Sequence, residues 1–422
     1  MTTTPVTERC PVSHTFDALG EDYLRDPALA YRAIRSEMPT FWYPYLNAWV
    51  VTRKEDIETV LSDWQRFTNA VKGQSIQVPE EFRGDVPQEL IAKILIGSDP
   101  PQHTKSRSVA QRGFVKPRME ALQPVIEQRA HRIIDRIEHR GEGNLMEAYC
   151  LELTTQTFMA LTGLPAEDEQ MMRQLRDDQF MILGSALEPL QEPQRTEIWS
   201  RYVAAQKHLR AYVYERIENP GDDLISEMAA VKDREGNMVL SPEQIALHIG
   251  EFAGAATDTT AQAMANAVLF LHANPEAREE AIANPELWTR VFDETVRRRP
   301  SGTSTRWATE DVELGGAQVK AGDALWLALA SANTDEGYYD RPFDFDIHRE
   351  FGDHLAFTRG RHTCLGQPLA RVQGTTGLKV LYERLPSIRP ADEIPLDFMP
   401  LALLPIRRTL PVLWDVPGSP AP

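Results

Sequence analysis

The sequence predicts a mainly α-helical fold with a minor β part. Helical periodicity, with apolar residues three and four apart, runs through residues 119–137, 151–161 and 198–217. One further helical segment, opened by a complete capping signal at Ser241, extends for roughly 30 residues, or ~45 Å at 1.5 Å per residue. Strand signals are few and short by comparison.

The elements follow from their residues. Ala48-Trp49-Val50-Val51-Thr52 reads as a strand, and residues 312–329 read as a small sheet with turns at Gly315-Gly316 and Ala321-Gly322. The 151–161 helix should stop at Gly163, with Pro165 just beyond it. Ser241-Pro242-Glu243-Gln244 combines an N-cap, a proline at the first helical position and a capping-box glutamine. The long helix should then end near His272, before Pro275. Its centre, from Gly254 to Thr260, is small and polar where core is expected, which lets something bulky approach the helix. A last helix is expected over residues 367–385.

Composition bounds the function. The 422 residues are 42% hydrophobic and 25% charged, ordinary for a globular chain, so global disorder and collagen-like architectures are excluded. The net charge of −17 repels phosphate backbones and anionic lipid, so neither nucleic acid nor membrane is an expected partner. Cys10, Cys150 and Cys364 cannot make a disulfide framework and contain no C-x-x-C pair. No signal-like leader and no apolar stretch of ~20 residues is read. The expectation is a cytoplasmic protein with one domain over 1–422, flexible at 1–15 and 415–422.

One cysteine stands in a distinctive phrase. Phe357-Thr358-Arg359-Gly360-Arg361-His362-Thr363-Cys364-Leu365-Gly366 places Cys364 just before a helix N-terminus, where the macrodipole and free N–H groups favour a thiolate. Gly360 and Gly366 would allow close approach and positive φ. Such a thiolate is a nucleophile or a metal ligand. The nucleophile reading needs a base, and His362, two residues away on a turn, is poorly placed for proton transfer. The ligand reading needs only one thiolate if a macrocycle supplies the other donors.

The pattern Phe357-x-x-Gly360-x-His362-x-Cys364-x-Gly366 resembles the haem-binding signature of the cytochromes P450, and further motifs fall in the family's order. Ala255-Ala256-Thr257-Asp258-Thr259-Thr260 resembles its oxygen-activation motif, Glu294-Thr295-Val296-Arg297 its E-x-x-R motif, and Asp99-Pro100-Pro101-x-His103-x-x-x-Arg107 its C-helix. The resemblance spans about residues 48–404. It implies the cytochrome P450 fold, a single large domain with a long central helix over haem b. It makes Cys364 the axial thiolate, with Phe357 packed beside it and Ala255 against the haem. It sends His103, Arg107, Arg306 and His362 to haem propionates. It makes Asp258 and Thr259 the proton-delivery pair on a locally opened helix, and Glu294–Arg297 a buried structural ion pair. Thr358 departs from the family's usual glycine and is expected to be a tolerated loop change.

The implied activity is a haem-thiolate monooxygenase that uses O2 and two external electrons to oxidise a small organic molecule, such as a secondary metabolite or xenobiotic bearing an amine or hydroxyl. No flavin or nicotinamide fingerprint is present, so a separate ferredoxin and ferredoxin reductase are implied, serving a monomeric enzyme. Residues 101–118 and 354–371 carry Lys105, Arg107, Arg112, Lys116, Arg118, Arg359, Arg361 and Arg371 with no acid, a basic patch for an acidic ferredoxin. Glu251, Ala255 and Asp258 share a helix face, which suggests that Glu251 polarises the substrate pocket, with His248 one turn back. Phe180, Leu183, Ser304 and Leu403 are the other pocket candidates. A haem carrier without turnover and a cysteine-nucleophile enzyme remain the alternatives.

Overall fold

A computed structural model describes residues 11–13, 15–70, 76–185, 189–350, 353–399 and 405–416. Cys10, His14, Leu403 and the tail from 417 lie outside them. The main helices are α1 (Pro27–Glu37), α2 (Lys54–Ser62), α3 (Gln102–Ala110), α4 (Lys116–Asp135), α5 (Leu151–Thr162), α6 (Glu169–Gly184), α7 (Gln194–Glu218), α8 (Pro242–Ala273), α9 (Trp288–Arg298) and α10 (Gln367–Arg384).

The long helix is α8. Ser241 accepts from the Gln244 amide and Gln244 accepts from the Ser241 amide, the reciprocal cap that the sequence announces. Helices α5, α6, α7, α9 and α10 all pack on α8. An amphipathic helix buries only one apolar stripe, but α8 is covered from nearly every side, so its buried residues include polar ones such as His248, Glu251, Asp258, Gln262 and Asn266 beside the apolar majority. Helix α5 ends at Gly163 in the left-handed conformation, φ 73°, as expected. A π-type turn over Met146–Cys150 leads into it, which periodicity does not reveal.

Among the described residues three small sheets stand beside the helices. The largest runs β1 (Thr40–Tyr43), β2 (Ala48–Val51), β8 (Ala324–Leu327), β5 (Ser304–Ala308), β3 (Phe67–Thr68) in spatial order. A second pairs β10 (Pro411–Leu413) with β4 (Glu142–Asn144) and β9 (Arg389–Pro390). The third is the hairpin β6 (Val312–Leu314) and β7 (Ala317–Val319). The expected single sheet over 312–329 is therefore divided. Its hairpin stands alone, whereas β8, every residue buried, joins β2 in parallel and β5 antiparallel. Both described ends hydrogen-bond to the rest of the chain. Pro11 O accepts from the Trp42 amide, Ser13 N–H donates to Trp42 O, and Asp415 N–H donates to Ser387 Oγ.

A buried ion cluster ties α9 to the chain that leads to the cysteine loop. Arg297 forks onto Glu294, Nε to Oε2 at 2.6 Å and Nη2 to Oε1 at 2.8 Å. It also donates to Asn333 O and Pro342 O at 2.7 and 3.0 Å. Glu294 accepts in addition from the Asp346 amide and from Arg349 Nε. Glu294 is fully buried and Arg297 is 1% exposed, so each charge is stable there only because the other is present. Glu294→Gln keeps the shape but strips the countercharge from two arginines. It should cost about 3–5 kcal/mol in urea or thermal unfolding, and a loss below about 1 kcal/mol would show that the pair is not a tertiary lock.

Candidate active site

Cys364 lies at the mouth of α10, in a loop closed by its own backbone. The Cys364 amide donates to Phe357 O at 2.9 Å and the Thr363 amide to Gly360 O at 3.1 Å. Gly360 takes φ 75°, and a Cβ there would lie 2.5 Å from the Leu61 carbonyl oxygen of α2, so only glycine fits. Gly366 differs from expectation. Its φ is −82°, and a Cβ would meet nothing closer than Cys364 Sγ at 4.0 Å. Thr358 is more than a tolerated change. It holds φ 58°, a region a β-branched residue avoids, and its hydroxyl donates to His362 O at 2.9 Å, a second rung beside the Cys364–Phe357 bond.

Cys364 keeps accessible surface, yet protein crowds its sulfur enough that burial dominates its titration. Burial pushes the Cys364 thiol up, against the Gly366 amide, Arg107 and the Gln367 amide, which pull it down. The amides at the helix mouth do pull toward the thiolate, as the position of Cys364 before α10 implies, but burial outweighs them. A raised thiol is a poor nucleophile, whereas a bound metal cation would displace the proton and leave the amide donors facing the sulfur anion.

Basic side chains gather near the sulfur. The His103 ring on α3 lies 4.1 Å from the His362 ring, centroid to centroid. Burial first, and then Arg107, push the His103 pKa down to about 4. Its Nε2 is buried with no hydrogen-bond partner. Arg107, one turn along, is half-buried, and burial lowers its pKa while Cys364 opposes that shift. Arg306 on β5 is buried, and burial lowers its pKa to about 10 against the influence of Asp99. Its described hydrogen bonds run to neutral oxygens, Asn69 Oδ1 at 3.1 Å, Ser304 Oγ at 2.9 Å and Thr305 O at 2.8 Å. Desolvated guanidinium groups of this kind favour carboxylates.

Small residues of α8 provide an open face. From Ile245 to Val268 every residue is buried except Ala255, Ala256 and Thr259. Ala256 borders the same apolar cluster as Leu365, the neighbour of Cys364. The helix is not locally opened, because it is continuous through this stretch and Thr259 Oγ1 donates to Ala255 O at 2.7 Å. Asp258 points elsewhere, into α6. Arg176 Nε is 3.0 Å from its Oδ2, an ion pair off the hydrogen-bonding line. Burial lifts the Asp258 carboxyl to about 6, and Arg176 holds it from going higher.

The pocket assignments fare differently. Glu251 does not present its carboxylate to a substrate: Oε2 accepts from the Leu95 amide at 2.8 Å and Oε1 from the Ile96 amide at 2.7 Å. His248, 1% exposed, is bonded on both ring nitrogens, to Glu251 and to Ser106. Residues 251, 255 and 258 therefore diverge, since α8 is packed on both flanks and open only between them. Ser304 Oγ is taken by Arg306. Phe180 is buried with Met399 and Ile406, and Leu183 is half-buried against the largest core cluster. Leu403 lies outside the described residues. Arg176, Ser106 and Asn69 were not read from the sequence. Each acts through a distant partner and carries no local motif.

Together these groups suit an iron macrocycle with carboxylate arms: one sulfur with amide donors, desolvated cations near it, and an open face of small residues. Among the described residues no three His, Cys, Asp or Glu converge to hold a metal unaided. No helix among them is long and apolar enough to cross a membrane.

Comparison with known proteins agrees. The cytochrome P450 family model matches residues 32–385. Nocardicin C N-oxygenase of Nocardia uniformis subsp. tsuyamanensis is 31% identical over 94% of this chain and 97% of its own length. Mycinamicin IV hydroxylase/epoxidase of Micromonospora griseorubida is 30% identical over 87% and 90%. Epothilone B-bound cytochrome P450epoK superposes at a TM-score of 0.86, with 25% identity over 95% of this chain and 99% of that one. The match covers both the open face of α8 and the fold around it, and on these grounds the chain belongs to the cytochrome P450 family and is a cytochrome P450 monooxygenase.

Proposed function

We propose that the chain uses thiolate-ligated haem b, O2 and two externally supplied electrons to oxidise a small secondary metabolite. The observation that carries this reading is Cys364, a sulfur faced by the Gly366 and Gln367 amides at the mouth of α10. Haem supplies the iron at which O2 is bound and reduced, and a thiolate ligand favours O–O cleavage. Cys364 would hold the iron, Phe357 and Gly360 would shape the loop beneath it, and His103, Arg107, Arg306 and His362 would take the propionates. Ala255 leaves room for the ring.

Thr259 spends its proton on the Ala255 carbonyl, so toward the open face its oxygen is an acceptor that can hold a water. Asp258, behind it, can pass protons inward because its pKa of about 6 lies near neutrality. The relatives include an N-oxygenase and a hydroxylase/epoxidase that act on nocardicin C and mycinamicin IV, which supports a natural-product substrate. Phe180 and Leu183 are the apolar wall proposed for it.

Electrons would come from a separate ferredoxin and its reductase. The basic patch is narrower than the sequence suggests. Arg118 pairs with Asp222 and Glu227, Arg359 with Glu58 and Asp353, and Arg371 with Asp293. Lys105, Arg112 and Arg361 remain exposed, the last stacked 5.1 Å over Trp64, and offer a docking charge that weakens as salt rises.

Two measurements check the reading. Reduced protein under carbon monoxide should show a thiolate-type Soret shift that Cys364→Ala abolishes; a shift that survives the substitution, or none in the parent, overturns it. Ionised Asp258 is required to accept a proton, so turnover should fall as pH drops through about 6. Arg176 opposes the rise of the Asp258 pKa, so Arg176→Gln should move this acid limb to higher pH and Asp258→Asn should remove it. A limb identical in all three proteins assigns it to another group.

A further inference from the structure

The Ser106–His248–Glu251 chain has the connectivity of a hydrolase triad without the access. His248 Nε2 is 3.0 Å from Ser106 Oγ, and His248 Nδ1 is 3.2 Å from Glu251 Oε2. The carboxylate fixes the proton on Nδ1, which leaves Nε2 to accept from the Ser106 hydroxyl, whose oxygen in turn accepts from Gln102 Nε2 at 3.0 Å. Ser106 has no exposed surface and Glu251 is 6% exposed, so no substrate reaches the hydroxyl. Both carboxylate oxygens are also committed to the Leu95 and Ile96 amides.

The chain joins three elements that must agree in position. Helix α8 supplies His248 and Glu251. The short turn Leu95–Gly97 supplies two amides that begin a 3-10 turn and have no partner within it. Helix α3 supplies Ser106, between His103 and Arg107. At nine residues, with no side-chain cap at Pro101, α3 is too short to be fixed by its own hydrogen bonds, so tertiary contacts must set where it lies. A buried carboxylate that receives two amides and an imidazole is a strong tether, because charge-assisted bonds exceed neutral ones.

We infer that Ser106, His248 and Glu251 form a positioning unit that sets α3, and with it His103 and Arg107, in register against α8. The link to the cofactor rests on the proposed haem site, while the mechanical link does not. In the purified holoprotein, Glu251→Gln keeps the volume but turns an acceptor into a donor facing an amide. Hydrogen exchange over residues 95–110 should then accelerate about tenfold, the scale of a lost charge-assisted bond, while peptides of α10 keep the parent rate. Haem transfer to apomyoglobin should accelerate several-fold. In a His103→Ala background the same substitution should add little further acceleration, since the unit acts through α3. Ser106→Ala, which removes only the hydroxyl, gives the milder version if Glu251→Gln does not fold. Unchanged exchange over 95–110, equal acceleration everywhere, or effects on haem release that multiply in the double variant would each overturn the inference. A parent protein without haem would instead sink the haem reading, and exchange over 95–110 would still decide the mechanical coupling.

Discussion

Burial of α8 on nearly every side is the constraint on which the rest of the structure depends. A helix of 32 residues is met by neighbours along most of its length, and each buried position must be apolar, small or supplied with a polar partner, as Glu251, His248 and Asp258 are. Close approach is literal at one glycine. A Cβ at Gly250 would lie 2.3 Å from Gln206 Nε2, whereas one at Gly254 would meet Gln179 and Phe180 only at ordinary contact, 3.6 Å. With α6 and α7 drawn in on one flank and α5, α9 and α10 elsewhere, one short face stays open between Ile245 and Val268. That face is Ala255, Ala256 and Thr259, where the family resemblance places oxygen chemistry.

The cysteine loop faces a different problem. It must hold a sulfur rigidly at a helix mouth with very little regular structure of its own. Backbone rungs close it, Gly360 admits the Leu61 carbonyl, and Thr358 offsets an unfavourable left-handed backbone with a hydroxyl bond to His362. Sub-threshold changes in this loop would reach the sulfur directly, because the amides of Gly366 and Gln367 are the donors that face it. The Glu294–Arg297 cluster supports it from behind by holding the Asn333 and Pro342 carbonyls. Strain in one place is balanced by fully satisfied charge in another.

Local signals were legible in the chain. The capping box of α8, the Gly163 stop of α5, the helical repeats and the motif around Cys364 each depend on residues within a few positions of one another. Signals failed where the partner is remote. The 312–329 segment looks uniform, yet β8 leaves its hairpin because β2 and β5 offer it ladder bonds. Glu251 looked like a pocket acid because its helix face is computable, whereas the amides of Leu95 and Ile96 that claim it are brought there only by folding.

The sequence by itself determined the capped helix α8, the stop of α5 at Gly163 and the helical repeats of α4, α7 and α10, because caps, periodicity and short motifs are local. Only the tertiary structure decided the states of the titratable side chains: that burial outweighs the helix-mouth amides at the Cys364 thiol, that Asp258 is answered by Arg176, and that the Glu251 carboxylate accepts from the Leu95 and Ile96 amides. Desolvation and ion pairing depend on what surrounds a group in space, and the order of residues along a chain does not specify that until the chain has packed.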